Sequence, residues 1–331
     1  MNTQLNQLRS LLQESPSRQG WLEILTLLES SWYNNPSETS ELLLPYLIEH
    51  GEDWDRKWKM APPDWVQKWI EDVLPVSFLA VVSAISVSSC LSKWDSKPED
   101  ADFLRWVQEL PADCPTLEGL YWGSLSEEMG EKWPNQYEAI IIKVLQSPAF
   151  RELKVLDLSL WEIRSDPHSP SQDDIYGFLE PQEVAEAIQT DSLEVLMLYG
   201  QRNPMPRSIT AKHWKKLKNL EVLDLGGGFP IGQKYIAKLA KKLVSLKSLN
   251  IAASYDIAEY INEDFPQLED DTKMEIAEYW WVHGNEYENF LCSDKQLEKL
   301  RGKYENISFV TERNREEEVN APFLWSTYFV L

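Results

Sequence analysis

Few residues in this chain are placed to do chemistry. Its four histidines, His50, His168, His213 and His283, show no H-E-x-x-H spacing, the arrangement that sets two imidazoles on one helix face around a metal. No G-x-S-x-G turn raises a serine nucleophile. Gly227-Gly228-Phe229-Pro230-Ile231-Gly232-Gln233-Lys234 lies between an expected strand and an expected helix, as a phosphate loop does. However, lysine does not directly follow the second glycine, and no Ser or Thr comes next to hold magnesium. Cys90, Cys114 and Cys292 are too few and too scattered for a disulfide framework or a Cys-x-x-Cys metal site, and they fit a reducing compartment. A thiol enzyme using Cys292 is the catalytic alternative, and no cofactor or metal is expected.

The elements that would position a site follow from composition and period. The 331 residues are 43% hydrophobic and 26% charged, an ordinary globular balance. The net charge of −22 repels a phosphate backbone, so nucleic acid is excluded as a general partner and a basic protein surface is favoured. The N-terminus lacks the charged-then-apolar layout of an export signal. Residues 74–91 are the most apolar run, but Pro75 and five serines dilute it, so the expectation is a buried helix and no membrane span. The expected location is cytoplasmic.

Residues 1–110 read as an all-helical N-terminal region. Apolar residues recur at helical spacing in Leu5, Leu8, Leu11, Leu12 and in Trp21, Ile24, Leu27, Leu28, and proline-containing breaks follow at residues 34–37, 61–64 and 97–100. From residue 111 the texture changes. Five segments place large apolar residues at positions one, four and six of L-x-x-L-x-L. They are Leu117, Leu120, Trp122; Leu153, Leu156, Leu158; Leu193, Leu196, Leu198; Leu220, Leu223, Leu225; and Leu246, Leu249, Ile251. Their first residues step by 36, 40, 27 and 26, so the early units carry insertions. Helical patterns fall between them, giving strand, turn and helix in each unit. Residues 111–258 therefore read as a repeat region. Residues 259–331 read as degenerate repeats or a cap, with a helix near residues 295–300 and a strand at residues 307–310.

On these motifs, residues 193–251 resemble the ribonuclease-inhibitor-like class of leucine-rich repeats. Taken over the whole repeat region, residues 111–258, the resemblance covers about half the chain. It implies an α/β leucine-rich-repeat solenoid with a parallel concave sheet and convex helices, and protein recognition on the concave face. At position nine, where the family takes asparagine or cysteine, this chain has Leu125, Trp161, Gln201, Gly228 and Ser254. The turns should accordingly be irregular.

With the leucines pointing into the core, position five points out of the sheet. It supplies Tyr121, Asp157, Met197, Asp224 and Asn250, and position seven adds Tyr199 among small residues. Tyr121, Asp157, Met197, Tyr199, Asp224 and Asn250 are the expected partner-binding surface. A secondary feature is a basic ridge. Residues 201–250 hold 11 Lys or Arg against 2 acidic residues. Lys212, Lys215 and Lys216 share one helix face, as do Lys234, Lys238, Lys241 and Lys242 on the next. A third is the near-duplicate Asp53-Trp54-x-x-Lys57-Trp58 and Asp64-Trp65-x-x-Lys68-Trp69, whose tryptophan pairs read as core packing or as a docking point.

Cys292-Ser293-Asp294 also resembles the C-x-D motif of bacterial leucine-rich-repeat ubiquitin ligases, in which the cysteine carries ubiquitin. Too few residues follow it here for their helical catalytic domain. The leading expectation is a non-catalytic protein-interaction module binding another protein on the concave face. The alternatives are a thiol enzyme or GTPase-activator-like regulator, and an assembly protein that joins its basic ridge to an acidic face of a second copy.

Overall fold

The computed structural model describes residues 3–54, 59–62, 64–87, 102–112, 114–122, 137–158, 187–188, 191–198, 217–225, 233–251 and 294–310. The chain divides into two units, residues 1–122 with 144–153, and residues 123–143 with 154–331. Its class is mixed α/β, with parallel strands throughout.

Unit one begins with helices. In α1 (Thr3–Leu12) Leu8 is the buried anchor. In α2 (Arg18–Asn34) Ser17 caps the start by accepting from the Gly20 amide at 3.1 Å. The buried stripe Trp21, Ile24, Leu25, Leu28 and Ser31 has the helical period the sequence displays. Asn35 ends that helix and caps the next turn, Pro36–Glu38, through the Glu38 amide. A π-helical turn, Thr39–Leu43, then runs into α3 (Leu44–His50). The tryptophans of α4 (Trp65–Ile70) are core. Trp65 and Trp69 meet edge-on at 5.6 Å, and Trp69 stacks on Trp106 of α5 (Asp102–Glu109) at 5.8 Å. Trp54 is also buried, against Trp21, while Trp58 lies outside the described residues.

The described part of the apolar run, residues 74–87, does not form the expected buried helix. A 3-10 segment, Val76–Val81, gives way to strand β1 (Ala84–Ser86). Val82, Ile85 and Val87 occupy positions one, four and six of the repeat pattern, and β-branched residues favour the extended backbone. Strand structure therefore starts inside the region read as all-helical. β1 pairs in parallel with β2 (Gly119–Tyr121), Ile85 against Leu120, and one further bridge joins Met60 to Ala84. Gly119 is required at this crossing, because a Cβ there would lie 2.6 Å from the Ala84 Cβ. Helix α6 (Tyr137–Leu145) and the 3-10 turn Pro148–Phe150 come next in the chain. In that turn Ser147 donates to the Val107 carbonyl at 3.1 Å.

Unit two carries β3 (Val155–Asp157), β4 (Val195–Met197), β5 (Val222–Asp224), β6 (Ser248–Asn250) and β7 (Ser308–Val310). They pair in chain order and in parallel, aligning Leu156, Leu196, Leu223, Leu249 and Phe309. One hydrogen-bond device recurs at the starts of β4, β5 and β6. The position-two carbonyl accepts from two successive amides of the next repeat. Glu194 and Val195 donate to Lys154, Glu221 and Val222 to Glu194, and Lys247 and Ser248 to Glu221, all at 2.7–3.0 Å. At the strand ends the amides of Leu158, Leu198 and Leu225 donate to the carbonyls of Met197, Asp224 and Asn250. Leucine repeats thus fix register through both packing and backbone. Helix α7 (Gln233–Lys242) buries Ile236, Leu239 and Ala240 and packs beside α8 (Asp294–Lys303), which buries Leu297 and Leu300. No helix among the described residues is long and apolar enough to cross a membrane.

Candidate functional site

The position-five residues do not lie on an open face. Asp157, Met197, Asp224 and Asn250 follow one another in register across β3 to β6, yet none is more than 5% exposed. Tyr121, at the same position of β2 in unit one, is equally buried. The physical reason is a second core. Met197 clusters with Val195 and Val222, and Val155 packs against them, on the side of the sheet opposite the leucines. A parallel sheet buried on both faces is the ordinary condition for such strands. The expected concave docking row is therefore interior. Tyr199 lies outside the described residues, as does Cys292.

The basic ridge is placed in part. Lys238 and Lys241 of α7 are exposed and Lys242 is half-buried. Lys234 sits on the same helix with its side chain outside the described set, and Lys212, Lys215 and Lys216 lie outside it altogether. Two other lysines of this stretch are neutralised by acids from a neighbouring repeat. Lys218 meets Asp191 at 2.5 Å and Lys247 meets Glu221 at 2.6 Å. The hydrogen bond and charge of Lys218 hold the Asp191 carboxyl below the usual carboxylate range.

Unit one offers surfaces that the sequence reading passed over. Four of the five large apolar residues exposed among those described, Tyr33, Leu42, Ile48 and Val73, belong to it. Leu42 and Ile48 flank exposed Pro45 along the π-turn and α3, at 37% and 42% exposure, while Leu43, Leu44 and Leu47 turn inward. Glu49 lies beside Pro45 and Ile48 on one face of α3, and Glu41 in the π-turn and Glu52 in the turn after the helix are exposed on either side of it in the chain. Among the described residues no cation pairs with Glu41, Glu52 or Asp53, and Glu49 has only His50 at 3.9 Å. The run of glutamates was readable in the sequence. Its exposure was not.

Tyr33 and Val73 flank a second group. The Trp32 indole donates to the Val73 carbonyl at 3.0 Å. Nearby, Glu29 accepts from the Trp65 indole at 2.7 Å and pairs with Lys68, which also pairs with Asp64. Partial burial opposes charge on Lys68, but its hydrogen bonds to Asp64 and Glu29 prevail and hold the ammonium above its ordinary range. Burial, then the Glu29 carboxylate, pushes the Tyr33 phenol up. This network ties α2 to α4 and is structural.

No protein-family model matches this chain, and no curated protein sequence matches it either.

Proposed function

We propose that this chain is a non-catalytic, cytoplasmic protein-binding module of the leucine-rich-repeat solenoid type. It docks a partner protein with a basic surface on the acidic and apolar stripe of unit one. The observation that carries this reading is the exposure of Leu42 and Ile48 along with Glu41, Glu49 and Glu52 in one short segment whose other leucines are buried. Exposed apolar residues rimmed by charge mark contact sites. The apolar residues supply desolvation and the glutamates choose the partner's sign. The leucine-ladder strands supply a rigid support, and the buried position-five row belongs to that support.

The test compares wild type with Leu42→Asp/Ile48→Asp as bait in the host lysate, with folding of both checked by circular dichroism. A protein retained by wild type and lost with the variant supports the reading. Identical retention by both overturns it.

A further inference from the structure

The fold brings together two basic helices that lie far apart in the sequence. Helix α7 carries Lys234, Lys238, Lys241 and Lys242 and no acid. Helix α8, more than fifty residues later, carries Lys295, Lys299, Arg301 and Lys303 against Asp294 and Glu298. The two helices pack side by side, and the Tyr304 hydroxyl just beyond α8 donates to the Ala237 carbonyl of α7 at 3.1 Å. Glu298 is spent on Arg301 at 2.9 Å. Lys238, Lys241, Lys242, Lys295 and Lys299 have no carboxylate partner among the described residues, whereas Lys218 and Lys247 in the same unit are paired. Among the described residues these lysines form a cationic face that a carboxylate-bearing surface would complement.

We infer that this basic face docks on the stripe at residues 41–52 of a second copy of the chain, joining unit two of one molecule to unit one of the next. The inference rests on the reading of that stripe as a docking surface and names one of its partners. Two observations select a second copy. The chain itself carries a complementary surface, with exposed Glu41, Glu49 and Glu52 in one short segment and exposed Lys238 and Lys241 one turn apart on α7. Both faces include an apolar contact, since Val244, just past α7, is 73% exposed and matches Leu42 and Ile48. Each copy carries a net charge of −22, so the long-range force between copies is repulsive and the local complementarity acts only at contact. Each contact joins two different faces, one from each copy.

Sedimentation velocity on the full chain tests this. Association should rise with concentration and weaken from about 0.05 M to about 1 M salt as the screening length falls. Lys238→Glu/Lys241→Glu/Lys299→Glu, with one face reversed, and Glu41→Lys/Glu49→Lys/Glu52→Lys, with the other reversed, should each weaken self-association at least about tenfold. Mixed together they should form a one-to-one complex, because each retains the face the other lacks. That rescue also shows that both variants are folded. The glutamine versions of the three lysines should weaken association without reversal. Wild type remaining monomeric at every concentration overturns the inference, and so does a mixture that fails to associate when both variants are folded by circular dichroism. Loss of a different lysate protein with Leu42→Asp/Ile48→Asp from a monomeric chain would end this inference and leave the docking reading standing.

Discussion

Met197→Ala separates an interior position-five row from an open docking row. Met197 is 1% exposed on β4, with Asp157 and Asp224 opposite it on β3 and β5, and it packs with Val195 and Val222. Truncating a fully buried methionine loses its transfer free energy and leaves a cavity, a cost of about 2–5 kcal/mol. On an exposed sheet face the same change would cost about 0.5 kcal/mol or less. For a unit of this size, each kcal/mol lowers Tm by about 2–4 °C, so the two pictures differ by several degrees at least. Met197→Leu keeps volume and should cost less than about 1.5 kcal/mol. The assay is guanidinium unfolding by far-UV circular dichroism, paired with hydrogen exchange at Leu158 and Leu198, whose amides donate to the Met197 and Asp224 carbonyls. Tryptophan fluorescence does not isolate unit two, because Trp21, Trp54, Trp65, Trp69 and Trp106 belong to unit one and add their own signal. A Met197→Ala protein as stable as wild type, with unchanged exchange, would refute the interior placement.

Gly119→Ala should destabilise unit one by about 1–3 kcal/mol, since its Cβ would meet the Ala84 Cβ at 2.6 Å, and Ala84→Gly in the same chain should restore most of the loss in a denaturation cycle. Glu29→Ala strips the Trp65 indole and Lys68 of a shared acceptor and should cost about 1–3 kcal/mol, while Glu29→Gln should recover part of it. Lys68 is raised above its unfolded value, so with its carboxylate partners ionised its stabilisation is complete below that value, 10.5, and fades as pH climbs through the folded one; the gap between wild type and Lys68→Met in urea melts should shrink in that alkaline range. Asp224→Lys, which on an open face would merely alter partner choice, should unfold unit two, because it buries an ammonium in place of a carboxylate at a site 2% exposed.

The repeat was legible because leucine at positions one, four and six both packs and sets register. Leu156, Leu196, Leu223 and Leu249 align across four strands, and the strand at residues 307–310 falls in the same sheet at Phe309. β1 was hidden by its neighbours. Its Val82, Ile85 and Val87 continue an apolar run that begins at Leu74, and an apolar run alone does not separate strand from buried helix. The burial of Asp157 and Asp224 was hidden for a different reason. A period of two tells which side chains share a face, but not whether that face is covered. The lysines of α7 were visible as a ridge, whereas their continuation on α8 depends on a contact between distant segments that no local pattern carries.

Carbodiimide labelling of carboxylates, read by mass spectrometry on the free and partner-bound chain, tests the account's central claim most directly. The account predicts that Glu41, Glu49 and Glu52 label in the free chain and are protected on binding, while Asp157 and Asp224 stay unlabelled in both. Labelling of Asp157 and Asp224 in the free chain, with protection there and none at the glutamates, would contradict it and return the docking site to the sheet.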